Sequence, residues 1–176
     1  MARRGRRVRG CNRPEIRRGY GRPVNVETRR GDEPDLLALV TAQQAELRAA
    51  ERASDAIDGS FPLHDDIRYL VIVVDDQAVA CGALQAIDAT AVEIKRMYVR
   101  PEHRGDGFGR AMLAVLEERA AADGYAVARL ETGSYLPAAL GLYRNAGYRP
   151  IPTYGEYVTN PYSRCFEKAL RTPARA

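Results

Sequence analysis

The sequence predicts an α/β fold, a mixed sheet with helices on its faces, and three observations carry that prediction. Hydrophobic patterns run strand, helix, three strands, helix, strand, helix and then one or two more strands, an alternation that requires a sheet covered by helices. The stretch from Tyr69 to Val99 holds three strand-like apolar runs in succession, so this part of the sheet is antiparallel. A glycine-rich corner, Arg104-Gly105-Asp106-Gly107-Phe108-Gly109, then turns the third of these strands into a helix.

Val24 to Thr28 alternates apolar and polar residues, the period of a half-buried strand. Asp32 is placed to cap the helix that follows, and Glu33 and Pro34 suit its first turn. Leu36, Leu37, Leu39, Val40, Ala45, Leu47 and Ala50 recur at helical spacing up to about Ala53 and predict one buried face. An irregular acidic segment with Asp55, Asp58, Asp65 and Asp66 is broken by Gly59 and Pro62. Tyr69 to Val74, a turn at Asp75-Asp76-Gln77, Ala78 to Leu84 and Val92 to Val99 make the antiparallel run. Phe108, Ala111, Met112, Val115, Leu116 and Ala120 share one helical face, which Asp123-Gly124 ends with a glycine suited to a left-handed terminus. Val127 to Glu131 reads as a strand, Pro137 to Ala146 as a short helix ended by Gly147, and Ser163 to Leu170 as a last strand beyond a Tyr- and Pro-rich loop.

A length of 176 residues suits one domain with its own core. The net charge of +4 hides an asymmetry: the first 30 residues hold 11 Arg against Glu15 and Glu27, while the remainder is net −5. The expected organisation is an Arg-rich disordered arm over 1–22, one domain over 23–171 and a short tail over 172–176. Too few apolar side chains are present in the arm to offset the entropy of ordering it. It reads either as a nucleic-acid or anionic-surface contact or as a solvated extension, and no aromatic residues are interleaved in a stacking pattern. Cys11, Cys81 and Cys165 are odd in number and widely spaced, so neither a disulfide framework nor a metal site is expected. No apolar run reaches the roughly 18 residues of a membrane span, and no secretory leader is evident, which reads as a cytoplasmic protein.

The corner carries the first chemistry. Glycines remove the Cβ atoms that would hold a ligand off, and the helix start behind them offers unpaired N–H groups and a positive dipole end. Such a turn suits phosphate.

With its Arg, two residues, Gly, one residue, Gly pattern, the corner resembles the signature of the Gcn-related N-acetyltransferases, the GNAT superfamily. The Met97-Tyr98-Val99-Arg100-Pro101 lead-in and the later Leu142-Tyr143-Arg144-Asn145-Ala146-Gly147-Tyr148 segment carry the same resemblance, which spans about residues 24 to 170. It implies a mostly antiparallel sheet of six to seven strands, helices on both faces and a splay between strands four and five. It implies acetyl-CoA as acyl donor and no metal. The backbone of Met97, Tyr98 and Val99 would meet the pantetheine arm, and Arg104, Gly105, Asp106, Gly107, Phe108, Gly109 and Arg110 would wrap the pyrophosphate, with Asp106 pointing outward. A backbone N–H near Tyr98 would serve as oxyanion donor. Many members carry Asn where this chain has Leu136, so one contact to the CoA arm is missing.

Acyl transfer to an amine needs a base, because an amine of pKa about 10.4 is unprotonated in only about one molecule in 10³ at pH 7, a deficit of roughly 4 to 5 kcal/mol. The resemblance places the general base at Glu93, between apolar Val92 and Ile94, which would favour a raised pKa in a cleft. The other reading of Glu93 is a partner of Lys95 or Arg96, or a solvent-facing residue. Tyr143 matches the tyrosine that protonates the departing thiolate; the other reading is a packed Tyr. Tyr154 and Tyr157, with Tyr162, Glu156 and the Asp55–Asp66 segment, occupy places that by the resemblance line the acceptor site, and carboxylates beside rings suit a cationic amine. Cys81 reads as a buried strand residue, not a nucleophile, and His103 as a surface residue of the turn. The resemblance thus implies N-acetylation of a small-molecule primary amine by direct attack in a ternary complex, by an enzyme whose relatives include many homodimers. A protein or peptide acetyltransferase, or a non-catalytic acyl-CoA-binding module with a nucleic-acid-binding arm, are the alternatives.

Overall fold

The computed structural model describes residues 24–54 and 67–171. The arm, the Asp55–Asp66 segment and the C-terminal tail lie outside the described residues. Among the described residues one sheet of seven strands, β1 (Asn25–Arg29), β2 (Arg68–Val74), β3 (Gln77–Ala86), β4 (Ala91–Val99), β5 (Val127–Gly133), β6 (Arg149–Ile151) and β7 (Ser163–Ala169), has the order β1-β2-β3-β4-β5-β7-β6. All neighbours are antiparallel except β4 and β5. The expected six to seven strands are therefore seven. The additional one, β6, lies in the segment read as a loop, because three residues with Pro150 at their centre give no period. Pro is tolerated there because β6 is an edge strand.

Three α-helices among the described residues, α1 (Pro34–Ala53), α2 (Phe108–Ala122) and α3 (Pro137–Asn145), pack on the sheet. The alternation of the strands splits the core in two. Leu70, Ile72, Val92, Ile94, Ala128 and Leu130 pack with Met112, Leu116 and Tyr143 from α2 and α3. Tyr69, Val71, Val73, Cys81 and Ala83 pack with Leu36, Leu39 and Val40 from α1. Helices thus cover both faces, as the patterns required. Asp75 and Asp76 both take positive φ, 47° and 61°, which matches the twist of the β2–β3 hairpin.

Two details of α1 differ from expectation. Its N-cap is Glu33 without a side-chain cap bond, because Asp32 is drawn into an ion pair with Arg30 at 3.0 Å. Its buried face is apolar only as far as Val40; beyond it Gln43, Gln44 and Glu51 are buried, while Leu37 and Ala45 are exposed. The helix leaves the apolar core there and runs over the opening between β4 and β5, where its inner face meets backbone and polar side chains.

Candidate active site

The opening is set by where strand pairing stops. β4 and β5 pair in parallel only over Ala91↔Val127, Val92↔Ala128 and Glu93↔Arg129, yet β4 continues to Val99 and β5 to Gly133. The expected splay therefore begins one residue past Glu93. Arg96, with φ 56°, sits within it in a bulge of β4 against β3, where Gly82 lies between the paired residues Cys81↔Tyr98 and Ala83↔Lys95. A Cβ on Gly82 would lie 2.5 Å from Leu116 Cδ1, so glycine there lets α2 press on the bulge. Cys81 Sγ donates to the Arg96 carbonyl at 3.3 Å, and burial pushes the thiol up to about 12 against the pull of Arg96. A thiol in that state is inert, in line with its reading as a core residue.

Three side chains from α1 and the corner, Gln43, Glu46 and Arg104, hold the open half of β4. Gln43 donates to the Met97 carbonyl at 2.9 Å, and Arg104 Nε donates to the Val99 carbonyl at 3.0 Å. Tyr98 donates to Glu46 Oε1 and Arg104 to Glu46 Oε2, both at 2.7 Å. Burial opposes ionisation of Glu46, but these two bonds prevail and hold its carboxyl below the usual range. Burial, with Glu46 adding, pushes the Tyr98 phenol up to about 12.

At the corner, Gly105 and Gly107 adopt φ 88° and 86°, conformations that L side chains rarely adopt. Gly107 is the N-cap of α2, and no side chain caps that helix start. Gly109 has neither excuse: its φ is not positive, and an added Cβ would meet nothing nearer than Leu142 Cδ2 at 3.6 Å. Arg104, Asp106 and Arg110 are exposed and Phe108 is buried, with His103 edge-on to its ring at 5.9 Å.

Glu93 lies between Val92 and Ile94, which face α2, and so points to the α1 side. It is 6% exposed. Tyr157 Oη donates to Glu93 Oε1 at 2.6 Å, and Lys95 Nζ stands 3.4 Å from Oε2 and 3.2 Å from Glu156. The Lys95 partnership foreseen for Glu93 is therefore present, beside a tyrosine that was not foreseen as its donor. Tyr154 meets Tyr157 edge-on at 5.5 Å, and Arg129 stands over the Tyr154 ring at 5.7 Å. Burial and the Glu93 charge push both phenols up, which keeps them protonated. The structure thus brings Glu93, Tyr154 and Tyr157 together.

Tyr143 is on the other face, in the α2 cluster, edge-on to Tyr148 at 6.0 Å. Burial, and then the charge of Glu131, raises its phenol pKa. Glu131 is the residue that sequence reading passed over. It projects from β5 to the Glu93 side, accepts from Ser163 Oγ at 2.5 Å and feels the charges of Glu93, Glu156 and Lys95. Burial pushes its carboxyl above the usual range, the Ser163 bond opposing and Glu93 adding. Its signal was present in the alternation of β5, where Arg129 and Glu131 interleave with apolar Ala128 and Leu130. The Arg96 bulge had no such signal.

A sheet opened between two parallel strands, with a glycine corner on one strand and carboxylates at the fork, defines a class of acyl-transfer proteins. The acetyltransferase (GNAT) domain family matches residues 65–150. The IAA acetyltransferase of Azospirillum brasilense is 40% identical over 107 residues, covering 60% of this chain and 69% of that one. A solved structure from Klebsiella pneumoniae, classed with the acyl-CoA N-acyltransferases, is 30% identical over 84% of this chain and 98% of its own, with a TM-score of 0.72. A GNAT acetyltransferase from Elizabethkingia anophelis with acetyl-CoA bound shares the fold at 15% identity, over 84% and 98% of the two chains, with a TM-score of 0.63. The chain belongs to the GNAT acetyltransferase family and is an acyltransferase. Among the described residues no helix is long and apolar enough to cross a membrane.

Proposed function

We propose that the enzyme transfers an acetyl group from acetyl-CoA to the primary amine of a small molecule by direct attack in a ternary complex. One observation carries the reading: the fork after Glu93↔Arg129 leads along the freed half of β4 directly into the glycine corner. An extended donor laid in the fork has its acyl end near Glu93 and its phosphates at α2.

The residues fit that donor. Gly109 has no positive φ and no close contact that would require glycine, and a diphosphate approaching the uncapped turn of Arg104 to Arg110 supplies the reason. The Met97 and Val99 carbonyls are already engaged by Gln43 and Arg104, yet each carbonyl keeps a second lone pair for the pantetheine arm. Glu93 takes the proton of the acceptor on the α1 face. Tyr143, kept protonated by burial, supplies one to the thiolate on the opposite face. A thiol of pKa near 8.5 needs little help, so its contribution is the smaller.

Support for a small acceptor comes from the cover over Glu93. Tyr154, Glu156 and Tyr157 close down on the carboxylate, whereas a peptide acceptor calls for an open groove. The Azospirillum relative, named an IAA acetyltransferase, also favours a small molecule. Carboxylates at 93, 131 and 156 beside two rings favour a cationic amine.

The test is a panel of amines, amino acids and peptides with acetyl-CoA, followed by release of free thiol. Release with small amines is the expected outcome. Release confined to peptides moves the assignment to a peptide acetyltransferase.

A further inference from the structure

The acceptor amine cannot reach Glu93 directly. Glu93 is 6% exposed, and its two carboxylate oxygens are engaged by Tyr157 on one side and Lys95 on the other. Lys95 is itself tied to Glu156, so it does not offer the way in. Tyr157 does: its hydroxyl makes the shorter contact, 2.6 Å, and the residue is only partly buried, standing between the carboxylate and the surface. Its ring is fixed by Tyr154 at 5.5 Å and by Lys95, whose Nζ lies 5.8 Å from the ring centre.

We infer that Tyr157 is a proton relay, touching the acceptor while Glu93 acts through it. The acceptor ammonium gives a proton to Tyr157 Oη as the Tyr157 proton passes to Glu93 Oε1. The tyrosine ends neutral, as it began, and Glu93 ends as the carboxylic acid. The freed amine forms its C–N bond to the thioester carbonyl carbon, the C–S bond breaks with its electron pair on sulfur, and the second proton shed by the nitrogen balances the one the thiolate takes up, so the products are the amide and the free thiol. A neutral relay requires a phenol that does not ionise, and burial beside Glu93, Glu131 and Glu156 keeps Tyr157 in that form. Lys95 then acts as a positioning residue, holding the carboxylate under the hydroxyl.

This inference rests on the amine-acetyltransferase reading, and the experiment separates the two. Turnover of wild type and Tyr157→Phe is measured with acetyl-CoA and two acceptor types, simple alkylamines that arrive as ammonium ions and methoxyamine, which arrives as the free base. Phe retains the ring contacts and removes only the hydroxyl. The expected result is a loss of roughly 10²-fold or more in kcat on alkylamines, within the range of general-base effects, and a far smaller loss on methoxyamine. The solvent deuterium isotope effect on the alkylamine reaction should fall in the variant. Glu93→Gln combined with Tyr157→Phe should be no worse than either change alone, because both interrupt one wire. Equal losses on the two acceptor types, additive losses in the double variant, or undiminished turnover by Tyr157→Phe would overturn the relay and leave the amine reading standing. Wild-type inactivity towards every amine would overturn the amine reading, and the relay with it.

Discussion

Gln43 on α1 donates its side-chain amide to the Met97 carbonyl at 2.9 Å, gripping β4 beyond the point where β5 has left it. The opened half of a strand has lost one column of backbone partners, and a buried carbonyl without a donor costs about 1–3 kcal/mol. Gln43→Leu is therefore expected to lower stability by about that amount and to raise the KM for acetyl-CoA more than it lowers kcat. Thermal melts and initial rates check the two halves; an unchanged KM would show that α1 does not shape the donor groove.

Gly82→Ala tests the packing behind the bulge. Its Cβ would lie 2.5 Å from Leu116 Cδ1, 3.1 Å from Met97 Sδ and 3.2 Å from Met112 Cγ, so these side chains must shift to admit it. Overpacking of this kind costs about 1–3 kcal/mol, or roughly 2–4 °C of Tm for each kcal/mol in a chain of this size. Calorimetry of the variant gives the answer directly.

Glu93→Gln keeps the Tyr157 bond and abolishes proton acceptance. A fall in kcat of about 10²–10⁴ is expected, with loss of the acid limb of the kcat/KM profile that reports a titrating base. A variant that retains both rate and limb would transfer the role to another group, Glu131 first among them.

Tyr143→Phe leaves the packing against Tyr148 intact and removes the hydroxyl. The expected loss of turnover is smaller than for Glu93→Gln, because the thiolate is a good leaving group. Single-turnover rates of thiol release measure it, and an unchanged rate would make Tyr143 a packing residue.

Glu131 ties stability to pH. Its carboxyl has a raised pKa in the folded chain, so the native state holds that proton to higher pH than the unfolded chain does. The stability so contributed is fully present below the unfolded value, about 4.3, and is lost as pH rises through the folded one. Glu131→Gln carries no such dependence, so its stability should gain on that of wild type as pH rises from about 4 to about 7. Denaturant titrations along that range test the sign; a constant difference would mean that Glu131 is not strained by burial.

Much of this architecture could be read without coordinates. The three helices, the β2–β3 hairpin, the helix stop at Gly124 and the glycine corner depend on side chains within a few residues of one another, and periodicity and turn chemistry express those relations locally. The family pattern at Arg104 to Gly109 and at Tyr143 likewise lies in contiguous residues. Edge strand β6 escaped because its three residues are held by β7, not by their own preference.

What only the tertiary structure decided is how the site closes. The fork exists because pairing between β4 and β5 stops at Glu93↔Arg129, and the Arg96 bulge because β3 and α2 press on β4; both are set by contacts between residues far apart in the chain. The sequence by itself determined that there would be a glycine corner at the start of α2 and a glutamate on the strand leading to it. Packing determined that Tyr157 would stand over that glutamate, because a hydroxyl reaches a buried carboxylate only when the loop bearing it folds back across the sheet.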